Sequence, residues 1–380
     1  MNSMTPRERV LAALRHEEPD RIPIDLGGTV TTIETVPFND LKAYLGKNWE
    51  TRNFRRDHVD PPEELLAMFG VDTRYVRPKS PKNFKRVIEP DNSYVDDWGT
   101  RWKKFPSSLY WDPVDYPLKN ATIDDLKTYP WPDPDDPGRT EGLREEAKRL
   151  REKTDYAIIA DEPVTGVFEN ALTCIRGMEQ LFIDIAVNKP FVIALLEKLT
   201  EVTIRIFKNY LDAVGEYIDV IMTSDDLAGT KGPFISPKDY SELVKPFQKR
   251  VFQAIKDQTD AYVFYHCCGN VYPLIPDFIE IGVDILNPVQ VSAKDMDTKR
   301  LKREFGDKIT FWGGIDSQEV LPFGSPDDVE EEVRKRIADL APRGGYVFNA
   351  VHNIQAGVQP ENICRMFEAA KKYGRYPIRI

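Results

Sequence analysis

A histidine and a cysteine stand two positions apart in the segment 265–270, Tyr-His-Cys-Cys-Gly-Asn, at the predicted end of a buried strand. Side chains alternate between the two faces of an extended chain, so His266 and Cys268 point to the same side and can converge on one metal ion. A nitrogen and a sulfur ligand together suit zinc. Alternatively, the vicinal cysteines fill the core, since cysteine is often buried. A metal site here requires a third ligand from elsewhere in the fold.

The composition is that of an enzyme-sized globular protein. The chain has 380 residues, 41% of them hydrophobic, which is enough for one large core or two medium ones. Its 52 Lys and Arg against 62 Asp and Glu give a net charge of −10, and nucleic acid is not an expected partner. The four cysteines lack the spaced framework of a secreted protein, and no segment has the length of a membrane span. We therefore expect a cytoplasmic protein with no membrane partner.

Short β-rich segments alternate with helical ones from about residue 155 onward. Strands are predicted at 156–160, 219–223, 261–265, 283–286, 309–312 and 346–348, and helices at 178–187, 190–214, 236–256, 272–281, 298–305, 326–340 and 360–373. This alternation is typical of a parallel sheet. Together with one or two earlier strands, the first over 22–26, it predicts an α/β fold, a (β/α)8 TIM barrel. The alternative is an open doubly wound sheet, which would have a glycine-rich turn that binds phosphate after its first strand. The sequence contains no convincing turn of this kind.

The first 150 residues are predicted to be an irregular extension packed on that barrel, within a single domain spanning 1–380. Thr5, Pro6 and Glu8 form a capping box with a proline in the first turn of a helix. A small hairpin is expected over 96–102. The prolines in 116–139 exclude a helix there and indicate a connector that wraps the main domain.

Loops that follow the strands of such a barrel meet at one mouth, where catalytic residues collect. His352 follows the last strand and is the best candidate for the third ligand, which would give one sulfur, two nitrogens and an open fourth position, as in a catalytic zinc site. The alternative is a hydrogen-bonding loop histidine. The other candidates after the strands are, for catalysis, Asp225, Asp226 and Asp316, and, for substrate binding, Asp25, Tyr265, Asn287, Gln290 and Asn349.

Asp225 and Asp226 are adjacent, so at most one can point into the mouth, where it would orient substrate or hold a proton. A helix cap or a salt bridge is the alternative role for these aspartates, and Asp316 has the same two interpretations. Asn287 and Gln290 would hydrogen-bond the substrate. Tyr265 would line the pocket or pack in the core.

The chain resembles the uroporphyrinogen decarboxylase superfamily, and within it the zinc-dependent corrinoid methyltransferases. The resemblance covers nearly the whole length and rests on the segments 5–10 and 20–23, Asp97-Trp98-Gly99, Ser236-Pro237, the H-x-C-G-N of 266–270, and Pro360-Glu361-Asn362. In that branch the histidine and cysteine of H-x-C hold zinc together with a further cysteine after the last barrel strand. This chain has His352 at the third position, which implies a site with one thiolate fewer.

The resemblance implies methyl transfer between a small substrate, an O-methylated aromatic or a thiol, and a corrinoid (cobalamin). The chain has no D-x-H-x-x-G string, so the corrinoid would be carried by a separate partner protein; a homodimer is also favoured. A metal-free tetrapyrrole decarboxylase, with Asp25 or Asp225 at the pyrrole nitrogens, and a non-catalytic carrier-binding module remain alternatives. The decarboxylases share an arginine-rich R-Q-A-G-R loop for substrate carboxylates, and its absence here favours the methyltransferase.

Overall fold

The computed structural model describes residues 3–108 and 110–380. Within these residues a parallel sheet of seven strands forms the centre, and each strand pairs with the next one along the chain. The strands are β1 (Thr73–Val76), β2 (Ala157–Ala160), β3 (Val220–Ser224), β4 (Tyr262–His266), β5 (Ile285–Asn287), β6 (Thr310–Trp312) and β7 (Tyr346–Val347). Sequential parallel pairing with helices between the strands is the order of a TIM barrel, so the predicted fold class is confirmed.

The segment 22–26 closes the sheet at the eighth position. The backbone N–H of Phe348 donates to the carbonyl of Pro23 at 2.8 Å, and the N–H of Asp25 donates to the carbonyl of Phe348 at 2.9 Å. On the other side, the N–H of Asp72 donates to the carbonyl of Ile24 at 2.8 Å. The segment therefore lies between β7 and β1, where the first strand was predicted. It is joined by an isolated bridge instead of a full ladder, because a proline in the segment lacks the N–H that a ladder needs.

Helices surround this sheet. Those of the described residues are Pro6–Leu14, Thr35–Tyr44, Glu63–Phe69, Asp125–Thr128, Leu143–Lys153, Val167–Glu169, Met178–Val187, Lys189–Val214, Pro237–Asp239, Lys245–Lys256, Ile275–Ile281, Thr298–Phe305, Val320–Phe323, Pro326–Leu340 and Pro360–Tyr373. Two π-helical segments, Asn170–Ile175 and Tyr240–Val244, and two 3-10 turns, Pro137–Arg139 and Tyr272–Leu274, complete them. No helix in the described part of the chain has the length and apolar character needed to cross a membrane.

The predicted helix over 236–256 is divided into three pieces. Pro237–Asp239 leads into the π-helical segment Tyr240–Val244, and the regular helix Lys245–Lys256 follows. Pro246 stands at the start of that last helix and has no N–H to donate to the preceding turn, which accounts for the wider turn before it. The helices predicted at 178–187, 298–305, 326–340 and 360–373 have those bounds in the structure.

The first 150 residues contain more regular structure than predicted. They supply β1, four helices of seven residues or more, and a three-stranded antiparallel sheet, Ser93–Val95, Arg101–Lys104 and Trp111–Asp115, in place of a simple hairpin. Short helices between prolines show too few turns for their apolar spacing to stand out, so the sequence pattern did not reveal them. The small sheet belongs to the connection that leaves the carboxyl end of β1, and therefore lies on the mouth side of the barrel.

Asp72 fastens the N-terminal segment to the barrel just before β1. Its carboxylate, 1% exposed, accepts hydrogen bonds from Arg9 at 2.6 Å and from Arg21 at 2.7 and 2.9 Å. It also accepts the backbone N–H of Ile24 at 2.9 Å. One buried carboxylate thus ties the first helix to the closing segment of the sheet.

Replacing Asp72 with alanine is expected to lower the free energy of unfolding by about 3 to 5 kcal/mol, because it leaves guanidinium groups without their buried partner. Urea titration of the variant measures this loss. Asp124→Ala is the matched control, since the ion pair of Asp124 with Lys127 is exposed and worth at most about 1 kcal/mol. Equal losses in both variants would contradict the role given to Asp72.

Candidate metal centre

The structure brings the three predicted metal ligands together at the mouth. His266 ends β4, Cys268 follows it in the loop, and His352 lies in the loop after β7. One ligand atom from each lies within 4.8 Å of the other two. The Cys268 Sγ is 3.3 Å from the His266 Nε2, and the two imidazole centroids are 5.3 Å apart. The arrangement offers one sulfur and two nitrogen donors to a common point.

Asn287 holds His266 in the orientation that a ligand needs. The amide of Asn287 is fixed because its Nδ2 donates to the carbonyl of Trp312 at 3.0 Å. Its Oδ1 therefore accepts, at 2.5 Å, the Nδ1–H of His266. That tautomer leaves the Nε2 lone pair of His266 free on the side of Cys268. Asn287 was predicted to bind substrate, and the structure places it, fully buried, behind the histidine.

The protonation states of the other two donors also bear on metal binding. The Nδ1 of His352 is buried and has no hydrogen-bond partner among the described residues. Burial lowers the pKa of His352 to about 3, helped by His266 and His58, so the imidazole is neutral. Burial, together with Asp226 and Glu169, raises the pKa of the Cys268 thiol well above its ordinary value. The neutral imidazole of His352 and a thiol that a cation would deprotonate fit a zinc ion.

A tight turn positions Cys268. Gly269 has a φ of +92°, and a Cβ there would lie 2.6 Å from the carbonyl oxygen of Ala228, so a side chain is excluded on both counts. The backbone N–H of Gly269 donates to the Oε1 of Gln290 at 2.6 Å. Gln290 was also predicted to contact substrate, and the structure shows that it supports this turn.

The adjacent aspartates face opposite ways, as the alternation of a strand requires. The Oδ1 of Asp226 accepts the backbone N–H of Cys268 at 2.8 Å, which places Asp226 beside the candidate ligands. Asp225 instead accepts the backbone N–H of Glu169 at 2.5 Å and the Nε2 of Gln248 at 2.8 Å. Burial raises the pKa of Asp225 to about 7. Asp225 thus lies between the sheet and the helices, in the capping role that was its alternative.

Asp25 and Asn349 lie inside the barrel, below the mouth. The carboxylate of Asp25, 0% exposed, accepts hydrogen bonds from the hydroxyl of Tyr75 at 2.9 Å and from the Nε1 of Trp312 at 3.0 Å. Asn349 donates to the backbone carbonyl of Asp25 at 2.9 Å. Both predicted substrate contacts are therefore engaged in interior hydrogen bonds, which hold β1, β6 and β7 to the closing segment.

Two further predicted residues also lie apart from the metal donors. Asp316 accepts the backbone N–H groups of Gln318 and Glu319 at 2.8 and 3.0 Å, so it caps a turn after β6. Tyr265 points from β4 toward the helices, where its hydroxyl accepts a hydrogen bond from Gln248 at 2.9 Å. These are the packing and capping alternatives that the sequence had left open.

Three mouth residues, Glu169, Arg55 and His58, were missed in the sequence. A fourth, Glu162, follows β2 directly but was assigned no role, and its Oε1 is 3.4 Å from the Nη1 of Arg55. The Oε2 of Glu169 accepts the backbone N–H of Asp226 at 3.2 Å. Burial, reinforced by Asp226 and Glu162, raises the pKa of Glu169 well above its ordinary value. His58 and Arg55 lie in the N-terminal part that was predicted to be irregular, so no periodic pattern identified either residue.

These four side chains, Asp226 and the three candidate ligands form an interacting series at the mouth, which we call the polar ring. Its members, in spatial order, are Cys268, His266, His352, His58, Arg55, Glu162, Glu169 and Asp226. Each contacts its neighbour or lies near enough to shift its pKa. Metal donors thus occupy one part of the ring, and carboxylates with a guanidinium and an imidazole occupy the rest.

Tyr110, Gln355 and Glu34 form a rim above the ring. The Nε2 of Gln355 donates to the hydroxyl of Tyr110 at 2.6 Å and to the Oε1 of Glu34 at 3.4 Å. Burial raises the pKa of Tyr110, with smaller contributions from Glu34 and Cys268. Burial also raises the pKa of Glu34 to about 7, with a contribution from Asp57.

Comparison with known proteins identifies the relatives of this chain. The sequence model of the family described as Uroporphyrinogen decarboxylase (URO-D) matches residues 114–373. Among curated relatives, the uroporphyrinogen decarboxylase of Pseudoalteromonas atlantica is 25% identical over 186 residues, 47% of this chain and 47% of that protein. That of Saccharopolyspora erythraea is 27% identical over 179 residues, 46% and 47% of the two chains. The matched part thus spans about half the length of these relatives.

A solved structure matches over the whole chain. A methyltransferase from Methanosarcina mazei superposes with a TM-score of 0.61 at 20% sequence identity, covering 98% of this chain and 99% of that one. At this identity the likeness shows the fold alone.

Glu34→Gln tests the electrostatics of the rim. Because the folded-state pKa of about 7 lies above the ordinary 4.5, the contribution of Glu34 to stability is full below about pH 4.5 and is lost as pH rises through 7. The variant, which cannot ionise, is expected to gain stability relative to the wild type between pH 5 and about 8. Urea midpoints at several pH values measure the difference. Glu319→Gln, at an exposed position, is the control, and an equal pH trend in both variants would contradict the assignment.

Proposed function

The chain belongs to the uroporphyrinogen decarboxylase family, and we propose from that premise that it is a zinc-dependent methyltransferase. It would move a methyl group between a small substrate and a corrinoid carried by a partner protein. The observation that supports this most strongly is the convergence of His266, Cys268 and His352, with one ligand atom from each within 4.8 Å of the others. A metal-free decarboxylase has no need for that donor set.

Zinc held by His266, Cys268 and His352 would supply a Lewis acid for the heteroatom that gives or takes the methyl group. Asn287 keeps the Nε2 of His266 available, and the turn at Gly269 fixes the thiol of Cys268. The donor set also bears on the choice of substrate. With a single thiolate the centre would keep a net positive charge, which would make it a stronger Lewis acid toward an ether oxygen than a centre with two thiolates.

Glu169 would donate the proton that such a reaction needs. When the methyl–oxygen bond of an ether breaks, the oxygen that departs needs a proton. Burial and the neighbouring Asp226 and Glu162 raise the pKa of Glu169 well above its ordinary value, which favours the protonated carboxyl, and Glu169 adjoins Asp226 beside Cys268. O-demethylation of a methoxylated aromatic is therefore the favoured reaction, with a thiol substrate as the variant.

The chain itself lacks the corrinoid-ligating string, so the corrinoid would arrive on a separate protein at the barrel mouth. The corrinoid protein, the homodimer, the absence of nucleic-acid partners and the cytoplasmic location all stay predictions.

Tetrapyrrole decarboxylation is the second candidate, favoured by the names of the curated relatives. The residues predicted to serve it are poorly placed, however. Asp25 is engaged inside the barrel and Asp225 caps a helix outside it. The carboxylates near the mouth would also repel a substrate with many acidic arms.

Protein purified without added metal is expected to contain stoichiometric zinc, and a His266→Ala, Cys268→Ser double variant is expected to lose it. Asn287→Ala should weaken zinc affinity by about 10- to 100-fold, because the histidine loses the partner that orients it. Elemental analysis and competition with a chelator measure both effects. Cys364→Ser removes a thiol outside the site and serves as control. Zinc that survives in the double variant would rule out this centre.

Incubation with cob(I)alamin and a panel of methoxylated aromatics, methyl thioethers and betaine-like amines is expected to yield methylcobalamin with methoxylated donors. Glu169→Gln should lower the rate by about 100-fold or more through loss of the proton donor, while its zinc content stays unchanged. The absorbance of cob(I)alamin follows the reaction. Conversion of uroporphyrinogen to coproporphyrinogen without any methyl transfer would favour the decarboxylase instead.

A further inference from the structure

The geometry points to a hydroxyl-binding subsite in the part of the polar ring formed by His58, Arg55 and Glu162. The inference rests on the proposed methyl transfer and adds a substrate class to it: methyl ethers that also carry a free hydroxyl group. Three observations support it: a defined hydrogen-bond donor, a defined acceptor, and a guanidinium that lies between them.

His58 supplies the donor. The amide of Asn353 is fixed because its Oδ1 accepts the backbone N–H of Thr32 at 2.8 Å and its Nδ2 donates to the carbonyl of Thr29 at 2.9 Å. That same Nδ2 lies 3.3 Å from the Nε2 of His58, so this nitrogen accepts. Burial, reinforced by Arg55 and Arg56, lowers the pKa of His58 to about 3 and keeps the ring neutral. The proton is therefore on Nδ1, which is buried without a partner among the described residues.

Glu162 supplies the acceptor. Its side chain is 6% exposed, and its Oε1 lies near Arg55. Its Oε2 is buried and has no partner among the described residues. A buried carboxylate oxygen without a donor is costly, so a group that donates to it would bind favourably.

Arg55 connects the donor and the acceptor. It pairs directly with His58 across the hairpin of Asn53–Arg55 and His58–Val59, and its Nη1 is 3.4 Å from the Oε1 of Glu162. The guanidinium thus brings the N–H of His58 and the free oxygen of Glu162 to one stretch of the ring. It also balances the charge of the carboxylate, so the subsite as a whole is close to neutral.

This combination selects among polar groups. A carboxylate could accept from His58 and Arg55, but Glu162 would repel it. An ammonium could donate to Glu162, but it has no lone pair for the N–H of His58. A hydroxyl both accepts and donates, and carries no charge. Because the Nε2 of His58 lies 3.3 Å from the Nδ2 of Asn353, the residue after His352, the hydroxyl would lie on the same substrate as the methoxy group at the candidate metal donors.

Binding without turnover tests the subsite. Calorimetric titration of the zinc-loaded protein, with no cobalamin present, compares methoxybenzene with 2-, 3- and 4-methoxyphenol, and 1-methoxypropane with 2-methoxyethanol. At least one hydroxylated compound is expected to bind about 10- to 100-fold more tightly than its parent, as for a hydrogen bond to a charged partner. Equal dissociation constants within both sets would overturn the inference.

Two variants test whether His58 and Glu162 cause the preference for hydroxylated compounds. Glu162→Gln keeps the shape of the side chain and His58→Phe removes the N–H, and each is expected to reduce the preference to about 3-fold or less. Glu319→Gln, at an exposed position after β6, is expected to keep it in full. Thermal midpoints and zinc content show whether each variant is folded. A preference that persists in both folded subsite variants would assign the hydroxyl to the metal and overturn the inference.

The outcomes separate this inference from the proposed reaction. Selective binding that the subsite variants abolish supports the inference even if no compound methylates cob(I)alamin, in which case the proposed reaction alone fails. Methyl transfer from methoxybenzene and the methoxyphenols with equal affinities supports the reaction and overturns the subsite.

Discussion

The register between β4 and β5 is the constraint on which the site depends. It sets His266 opposite Asn287 at the carboxyl ends of the two strands, so that the amide and the imidazole meet. The same amide is fixed by the carbonyl of Trp312, whose indole in turn donates to Asp25. A shift of one residue would turn the imidazole away from Asn287. The metal donors are thus aligned by backbone pairing that extends through the barrel interior.

Parallel pairing also explains why the site is built in two layers. Residues that end the strands, such as His266 and Asn287, are buried, whereas the rest of the polar ring comes from the connections after β2, β3, β4 and β7 and from the hairpin that contains Arg55 and His58. Glu169 and Glu162 come from one such loop region and meet Asp226 from another. The strand-end layer orients the candidate ligands, and the loop layer carries the charged side chains. A substrate that enters the mouth would contact the loop layer before the strand-end layer.

The sequence predicted well whatever depends on local periodicity. The strand and helix alternation located six strands, and the positions after β4 and β7 identified His266, Cys268 and His352. It could not assign roles that depend on which way a side chain faces. Asn287 and Gln290 were expected to touch substrate, yet they support the candidate ligands from behind. Arg55 and His58 were missed because a two-strand hairpin far away in the chain leaves no periodic signal, and only the folded chain brings it to the mouth.

In the proposed centre His352, and not a second cysteine, would be the third donor, and this bears on oxidation. Two thiolates on one metal can form a disulfide with each other and release the ion, whereas in the proposed centre Cys268 has no thiolate partner. The neighbouring Cys267 is a poor substitute, since it is fully buried and its Sγ accepts the backbone N–H of Leu227 at 3.3 Å. Adjacent Cα atoms, about 3.8 Å apart, are also closer than an unstrained disulfide permits. The proposed centre would therefore not lose its metal through an internal disulfide.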